Sequence, residues 1–219
     1  MSDNIRVGLI GYGYASKTFH APLIAGTPGM TLAAVSSSDA AKVHADWPSV
    51  PVVSEPKHLF NDPNIDLIVI PTPNDTHFPL AKAALEAGKH VVVDKPFTVT
   101  LSQARELDAL AKSLGRLLSV FHNRRWDSDF LTVKRLLSEG TLGEILFFES
   151  HFDRFRPQVR NRWREQAGPG SGIWYDLAPH LLDQAVNLFG LPVSMTVDLA
   201  QLRPGAQTTD YFHAVLSYP

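Results

Sequence analysis

The amino-acid sequence predicts an α/β fold, with an N-terminal doubly wound parallel sheet followed by a C-terminal α+β domain. Three observations support this prediction. Short apolar runs alternate with helical patterns over about the first 120 residues, a glycine-rich turn follows the first run, and the alternation stops after residue 122. We therefore expect one domain over residues 1–121 and a second over residues 122–219.

Six runs rich in Ile, Val and Leu predict buried parallel strands. They cover residues 5–10, 31–35, 51–53, 67–70, 90–93 and 117–120. Between them, residues 76–87 and 101–114 carry apolar positions at the spacing of one helical face, and Gly88 and Gly115 then end the two helices. Ligands of such sheets bind beyond the carboxyl ends of the strands, so the functional residues are expected there.

The second half of the chain lacks this regular order. Helices are predicted over residues 130–137 and about 173–189, and strands over 144–152, 193–202 and 211–218. An arginine-rich segment and a glycine-rich loop at residues 168–172 precede the second helix. Strands and helices without strict alternation are typical of an α+β domain.

The composition excludes several classes of function. Hydrophobic residues make up 44% of the 219 residues, charged residues make up 19%, and cysteine is absent, so a folded core without disulfides or zinc–thiolate sites is expected. No histidine spacing predicts a metal site. A net charge of −2 argues against nucleic acid and anionic membranes as partners. The apolar runs are too short to span a bilayer and no signal sequence is recognisable, so we expect a cytoplasmic location.

The first predicted strand runs into the segment GYGYAS at residues 11–16. Gly11 allows a tight turn, Gly13 lets a diphosphate approach the backbone, and the N-terminus of the next helix offers free N–H groups. We therefore predict a Rossmann-type NAD(P) site in which Gly11, Gly13, Tyr14 and Ala15 contact the cofactor. Ser16 stands where a third glycine is usual, and an ordinary tight turn is the alternative interpretation.

The end of the second strand indicates which dinucleotide binds. A site for NAD usually has Asp or Glu there to bind the ribose 2′-hydroxyl, but this chain has Ser36, Ser37 and Ser38, followed by Lys42 in the next helix. Hydroxyl groups and a lysine suit a 2′-phosphate, which predicts a preference for NADP(H). The alternative is a serine-rich turn selected for its backbone conformation.

Polar residues also follow the fourth and fifth strands. The fourth strand ends in the segment PTPNDTH at residues 71–77, and the fifth ends in Asp94-Lys95-Pro96. A lysine at a buried strand end is costly without a partner or a function. We expect the following residues to lie at the cofactor: Pro71, Thr72, Asn74, His77, Asp94 and Lys95.

Asp176 and His180 stand four residues apart on a predicted helix and therefore share one face. Two interpretations fit this spacing. One is an ion pair on a helix surface, and the other is a catalytic pair presented to the nicotinamide. The presence of Lys95 and the glycine turn in the same chain favours catalysis.

Together these motifs resemble the Gfo/Idh/MocA oxidoreductases over essentially the whole chain. The resemblance rests on the glycine turn, on Thr72-Pro73-Asn74 with His77, on Lys95-Pro96, and on the glycine–aspartate–histidine element between residues 168 and 180. It implies hydride transfer between NAD(P) and a secondary alcohol or carbonyl of a sugar, a cyclitol or a related polyol. A redox-sensing regulator without turnover, and glycoside cleavage through transient NAD redox, remain alternatives.

The resemblance also implies roles for individual residues. Lys95 corresponds to a lysine that contacts both the nicotinamide ribose and the substrate, and Asp94 replaces the usual glutamate before it. His180 corresponds to the acid/base on the substrate hydroxyl, and Asp176 to a residue that positions the substrate. Arg124 matches a segment at the domain junction, where it either faces substrate or forms a structural ion pair.

Two further expectations concern the second domain. Arg162 and Trp163 lie in the arginine-rich segment, which forms either a wall of the substrate pocket or a solvated or subunit-facing surface. Relatives implied by the resemblance are longer than 219 residues. We therefore expect this chain to be part of a longer protein whose complete C-terminal domain mediates a homodimer.

Overall fold

The computed structural model describes residues 4–219. The chain divides into two compact units, Met1–Phe121 and His122–Pro219. The first unit contains a parallel sheet with helices on both faces, and the second combines helices with a small antiparallel sheet. The predicted fold class is therefore confirmed.

Within residues 4–219, six strands of the first unit form one parallel sheet in the order β3-β2-β1-β4-β5-β6. Their bounds are β1 Ile5–Ile10, β2 Met30–Ser36, β3 Val52–Val53, β4 Leu67–Ile70, β5 His90–Asp94 and β6 Leu118–Phe121. Each end lies within one residue of the sequence prediction. The strand order reverses between β1 and β4, which opens a crevice at the carboxyl ends of these two strands.

Helices cover both faces of this sheet. Their bounds are α1 Ala21–Gly26, α2 Ala40–His44, α3 Pro56–Asn61, α4 His77–Glu86 and α5 Leu101–Ser113, with a π-type turn at Ser16–His20 and a 3-10 turn at Asn74–Thr76. On one face, Ile68 and Ile70 pack in a cluster with Leu85 and Leu107, all of them buried. The opposite cluster contains Val7 and Leu9 with Ile24 and Val43. Burial on both sides explains why the strands are almost continuously apolar.

The second unit is built around one long helix. This helix is α7, Gly172–Phe189. The other elements of the unit are a 3-10 turn at Asn123–Trp126, α6 Ser128–Ser138, a 3-10 turn at Trp163–Glu165, β7 Ser194–Ala200 and β8 Tyr211–Ser217. The strands β7 and β8 pair antiparallel. Gly172 begins α7 with φ +90°, and a Cβ there would overlap the side chain of Thr209, so only glycine fits. The amide of Ile173 donates to the Thr209 carbonyl at 2.8 Å, which ties the start of α7 to the residues before β8.

The prediction of a strand over residues 144–152 is wrong. Residues 145–157 form neither helix nor strand. Leu146 and Phe147 are 87% and 78% exposed, whereas Phe148 packs edge-on against Phe189 at 5.2 Å between ring centroids. A β-prone pattern describes a fit to a pleated, half-buried surface. Among the described residues, this segment pairs with no strand.

Candidate active site

Two hydrogen bonds close the glycine turn after β1. Gly11 adopts φ +80°, and its amide donates to the Ser36 carbonyl at 2.7 Å, which joins the ends of β1 and β2. The buried Ser16 hydroxyl donates to the Gly11 carbonyl at 2.9 Å. The serine at the usual third glycine position therefore holds the turn with a side-chain hydrogen bond.

The open side of the turn lies at Gly13. A Cβ built on Gly13 would meet no atom within 4 Å, and the Gly13 carbonyl accepts the Lys17 amide at 3.0 Å as the helix begins. Tyr14 is 77% exposed and packs edge-on against Phe19, while Ala15 is half-buried. A glycine backbone open on one side at a helix N-terminus fits the diphosphate of a dinucleotide. The residues present therefore fit an NAD(P) cofactor.

The serine-rich segment after β2 has two parts. Ser36 is 3% exposed and contributes its backbone carbonyl to the glycine turn. Ser37 accepts the Asp39 amide at 3.1 Å, and Asp39 in turn accepts the Lys42 amide at 3.0 Å as the N-cap of α2. Ser38 and Lys42 are exposed. The carboxylate nearest to the end of β2 thus caps a helix, and hydroxyl groups and a lysine lie around it.

His77 joins the segments that follow β4 and β5. Its side chain is fully buried, with Nδ1 2.8 Å from the Pro96 carbonyl oxygen and Nε2 2.9 Å from the Thr72 carbonyl oxygen. Burial lowers the pKa of His77. The Lys95–Pro96 peptide bond is cis. The imidazole therefore links the backbone that follows β4 to the backbone that follows β5, at the residue next to Lys95.

The other predicted residues after β4 lie in the same place. Pro71 directly follows β4 and is half-buried, and Asn74 is buried at the start of the 3-10 turn. The Thr72 and Thr76 hydroxyl groups are hydrogen-bonded at 2.6 Å. A Cβ on Gly11 would lie 3.6 Å from the Thr72 methyl group, so the glycine turn and this segment are neighbours.

Asp94, the last residue of β5, is held as a carboxylate. The Lys95 amide donates to its Oδ1 at 2.7 Å, and His20 Nε2 lies 3.6 Å from its Oδ2. The His20 ring packs on Phe121 at 4.3 Å between centroids. Burial alone would raise the pKa of Asp94, but His20 and the contacts of Lys95 outweigh it and lower that pKa. Asp94 therefore places a negative charge beside Lys95.

In the second unit, α7 carries Asp176 and His180. Asp176 Oδ1 lies 3.4 Å from Arg164 Nε and lines a cavity, whereas His180 is 7% exposed. The His180 ring lies 6.4 Å from the Phe152 ring, and the Arg124 guanidinium lies 5.0 Å from that same ring. The structure thus brings Arg124 and His180 to one aromatic side chain.

Arg124 and Arg162, the two arginines predicted to contact substrate, form ion pairs within the protein. Arg124 pairs with Asp127 at 2.8 Å, and its carbonyl accepts the Gln184 side chain at 3.1 Å. Arg162 Nε donates to Glu165 at 2.7 Å. Trp163 lies under the Arg164 guanidinium, 4.4 Å from its ring centroid, so Trp163 supports the residue that pairs with Asp176.

Two polar networks were missed by the sequence reasoning. The buried carboxylate of Glu165 accepts the Arg203 guanidinium at 3.2 Å, and Arg203 also donates to Asp210 at 2.8 Å. In the first unit, Tyr12 donates to Asp46 at 2.9 Å. The partners are 38 and 34 residues apart in the two longest of these pairs, and no local spacing indicates such contacts.

Metal ligands are a separate question. Over residues 4–219, no group of three or more His, Asp or Glu side chains is placed to hold a metal ion. Over the same range, no helix has both the length and the apolar character needed to cross a membrane.

The parallel sheet, the reversal of strand order beside β1 and the open glycine turn define an NAD-binding Rossmann protein. Comparison with known families identifies it further. The family described as "Oxidoreductase family, NAD-binding Rossmann fold" matches residues 5–122, and the "GFO/IDH/MocA C-terminal domain" matches residues 130–219. The chain belongs to the Gfo/Idh/MocA oxidoreductase family, and the resemblance inferred from the motifs is confirmed.

Similar proteins are known in several bacteria. The chain is 90% identical over 219 residues to the uncharacterized oxidoreductase YdgJ of Escherichia coli, covering 100% of this chain and 63% of that protein. It is 42% identical over 216 residues to the scyllo-inositol 2-dehydrogenase (NADP(+)) IolW of Bacillus subtilis, covering 99% and 60%. A solved Yersinia pestis structure is 75% identical with a TM-score of 0.94, covering 100% and 62%. The chain thus spans 60–63% of the length of these relatives.

Proposed function

We propose that the protein is an NAD(P)-dependent oxidoreductase that transfers hydride between nicotinamide and a secondary alcohol or carbonyl of a sugar, a cyclitol or a related polyol. The observation that carries the proposal is the glycine turn, which is open at Gly13 and which adjoins, at Gly11, the Thr72 segment held by His77. Membership of the family supports it. The relative named for scyllo-inositol oxidation supports the choice of substrate class.

The proposed cofactor preference is NADP(H). A ribose 2′-hydroxyl is usually bound by a carboxylate at the end of β2, but here the nearest carboxylate, Asp39, is committed to capping α2. Ser37, Ser38 and Lys42 offer hydroxyl groups and a positive charge, which suit a 2′-phosphate. The relative IolW is named for NADP(+), in agreement with this preference.

The proposed chemistry divides among three side chains. A bound nicotinamide supplies the hydride acceptor. His180 takes the proton from the substrate hydroxyl, because an imidazole nitrogen can accept a proton in one direction of the reaction and return it in the other. Lys95 stabilises the negative charge that develops on the same oxygen. Asp176 orients the substrate by accepting a hydrogen bond from another hydroxyl group.

The cellular setting is proposed along with the activity. A small polyol or sugar is the expected partner, and neither nucleic acid nor membrane is expected as a partner. For a longer protein that contains this chain, we propose a homodimer. The cytoplasm is the proposed location, because the sequence contains no cysteine for disulfides and its net charge is −2.

A cofactor titration followed by a substrate screen tests the proposal. NADPH and NADH fluorescence is titrated with the full chain, and NADP+ or NAD+ is then incubated with a panel of polyols. Net formation of NADPH or NADH with at least one polyol is expected. Cofactor binding without turnover would identify a regulator instead, and glycoside cleavage without net NADPH or NADH would identify transient redox.

A further inference from the structure

A cavity of about 330 Å³ lies within the second unit, at the beginning of α7. This volume is in the range of small-molecule sites. Its walls include Asp176, the residue proposed to position the substrate, together with Ile173 and Leu177 of the same helix. Five arginines also line it: Arg154, Arg156, Arg162, Arg164 and Arg203.

Three of these arginines are neutralised by the carboxylates that share the cavity. Arg203 bridges Asp210 and Glu165, and Arg162 pairs with Glu165 at 2.7 Å. Arg164 lies 3.4 Å from Asp176. The cavity therefore has a built polar wall in which Glu165 and Asp210 are almost fully buried.

Arg154 and Arg156 differ from the other three. Within residues 4–219 neither forms a salt bridge, so the five arginines exceed the three lining carboxylates by two positive charges. Burial lowers the pKa of Arg156, and the neighbouring Arg154, Arg162 and Arg160 lower it further. A guanidinium nevertheless stays protonated at neutral pH, so the two charges remain.

Other features of the cavity also favour the binding of a negatively charged group. The start of α7, at Gly172 and Ile173, lines the cavity and carries the positive end of an 18-residue helix. The Thr208 and Thr209 side chains add hydroxyl groups to the same wall. Arginine forks bind carboxylate and phosphate groups through paired charge-assisted hydrogen bonds.

We propose that this cavity binds an anionic group of the substrate through Arg154 and Arg156, so that the substrate is an acidic or phosphorylated sugar or polyol. This inference rests on the proposed function, because it assigns the cavity beside Asp176 to substrate. It assigns recognition of the substrate to Arg154 and Arg156, in place of Arg162 and Trp163. Arg162 is committed to Glu165, and Trp163 supports Arg164.

The test measures binding and does not require turnover. Dissociation constants of D-glucose, D-glucuronate and D-glucose 6-phosphate are measured for the full chain by ligand-observed NMR in a phosphate-free buffer. At least one of the two anions is expected to bind about tenfold more tightly than glucose, which corresponds to about 1.4 kcal/mol. The stronger of the two identifies the group as a carboxylate or a phosphate.

Three variants assign the preference to the cavity. Arg156→Gln is expected to remove most of the tenfold preference, and Arg156→Lys to retain part of it, because the charge remains but the fork is lost. Arg135→Gln is the matched control, since Arg135 lies on α6 and pairs with the exposed Glu139. It should keep the full preference.

Equal binding of glucose and both anions by the unmodified chain would overturn the inference and leave the proposed oxidoreductase function intact. The same holds for a preference that survives in Arg156→Gln or disappears in Arg135→Gln. A preference that follows Arg156, in a chain that oxidises neither neutral polyols nor acidic or phosphorylated sugars, would instead support the anion site and contradict the proposed function.

Discussion

Replacing Gly13 by alanine separates cofactor binding from folding. Gly13 lies outside the left-handed region of φ, and an added Cβ would meet no atom within 4 Å. The substitution therefore introduces neither backbone strain nor a clash within the protein. A Gly→Ala change at such a position stabilises a protein by about 0.4–1 kcal/mol, because it restricts the unfolded chain. The free energy of unfolding should stay equal or rise slightly.

The same methyl group should interfere with the cofactor. It would occupy the open side of the turn, where the diphosphate is proposed to approach the backbone. Forcing an extra methyl group into a packed contact costs about 1–3 kcal/mol. The dissociation constant of NADPH should thus rise roughly tenfold to hundredfold. Fluorescence titration measures this change, and urea unfolding measures the stability.

Two other glycines serve as matched controls. Gly11→Ala should cost about 1–2 kcal/mol of stability, because Gly11 has φ +80° even though its Cβ would sit at an ordinary 3.6 Å from Thr72. Gly26→Ala, at the end of α1 and with open space around it, should change neither stability nor binding adversely. If Gly13→Ala binds NADPH as tightly as the unmodified chain, or unfolds more easily, the diphosphate does not approach the backbone at Gly13 as proposed.

Two further predictions concern single side chains of the first unit. Lys42→Ala should weaken NADPH binding about fivefold by removing an exposed positive charge, and equal weakening of NADH in the same titration would contradict the assignment to the 2′-phosphate. Asp94→Asn tests the half-buried carboxylate, whose pKa lies below its unfolded value. Its stabilisation is present above about pH 4 and is lost as the pH falls through the folded pKa. Urea unfolding should show lower stability for Asp94→Asn near neutral pH and a smaller loss on acidification; equal acid sensitivity would count against this role.

The sheet of the first unit was predictable because its strands are buried on both faces. Runs such as residues 67–70 have no exposed side that would require polar residues, so their limits appear directly in the sequence. The segment 144–152 has similar β-prone residues but pairs with no strand among the described residues. Propensity alone cannot supply a pairing partner, and that prediction failed for this reason.

The candidate site was predictable in position but not in its internal contacts. Parallel topology brings Gly11, Thr72 and Lys95 to the same sheet edge, so their neighbourhood follows from the strand order. The imidazole link of His77 to Thr72 and Pro96, and the commitment of Arg162 to Glu165, depend on side-chain directions. These directions are set by packing between distant segments, and the sequence spacing does not contain them.

The assignment of His180 as the acid/base is tested most directly by turnover of a His180→Ala variant, with His180→Gln as a bulkier companion. Oxidation of the best polyol is compared with NADPH binding and with thermal unfolding. Turnover is expected to fall at least about hundredfold, because general acid–base catalysis contributes about 10²–10⁴. NADPH affinity should stay unchanged. Undiminished turnover in either variant would contradict the role of His180 as the acid/base.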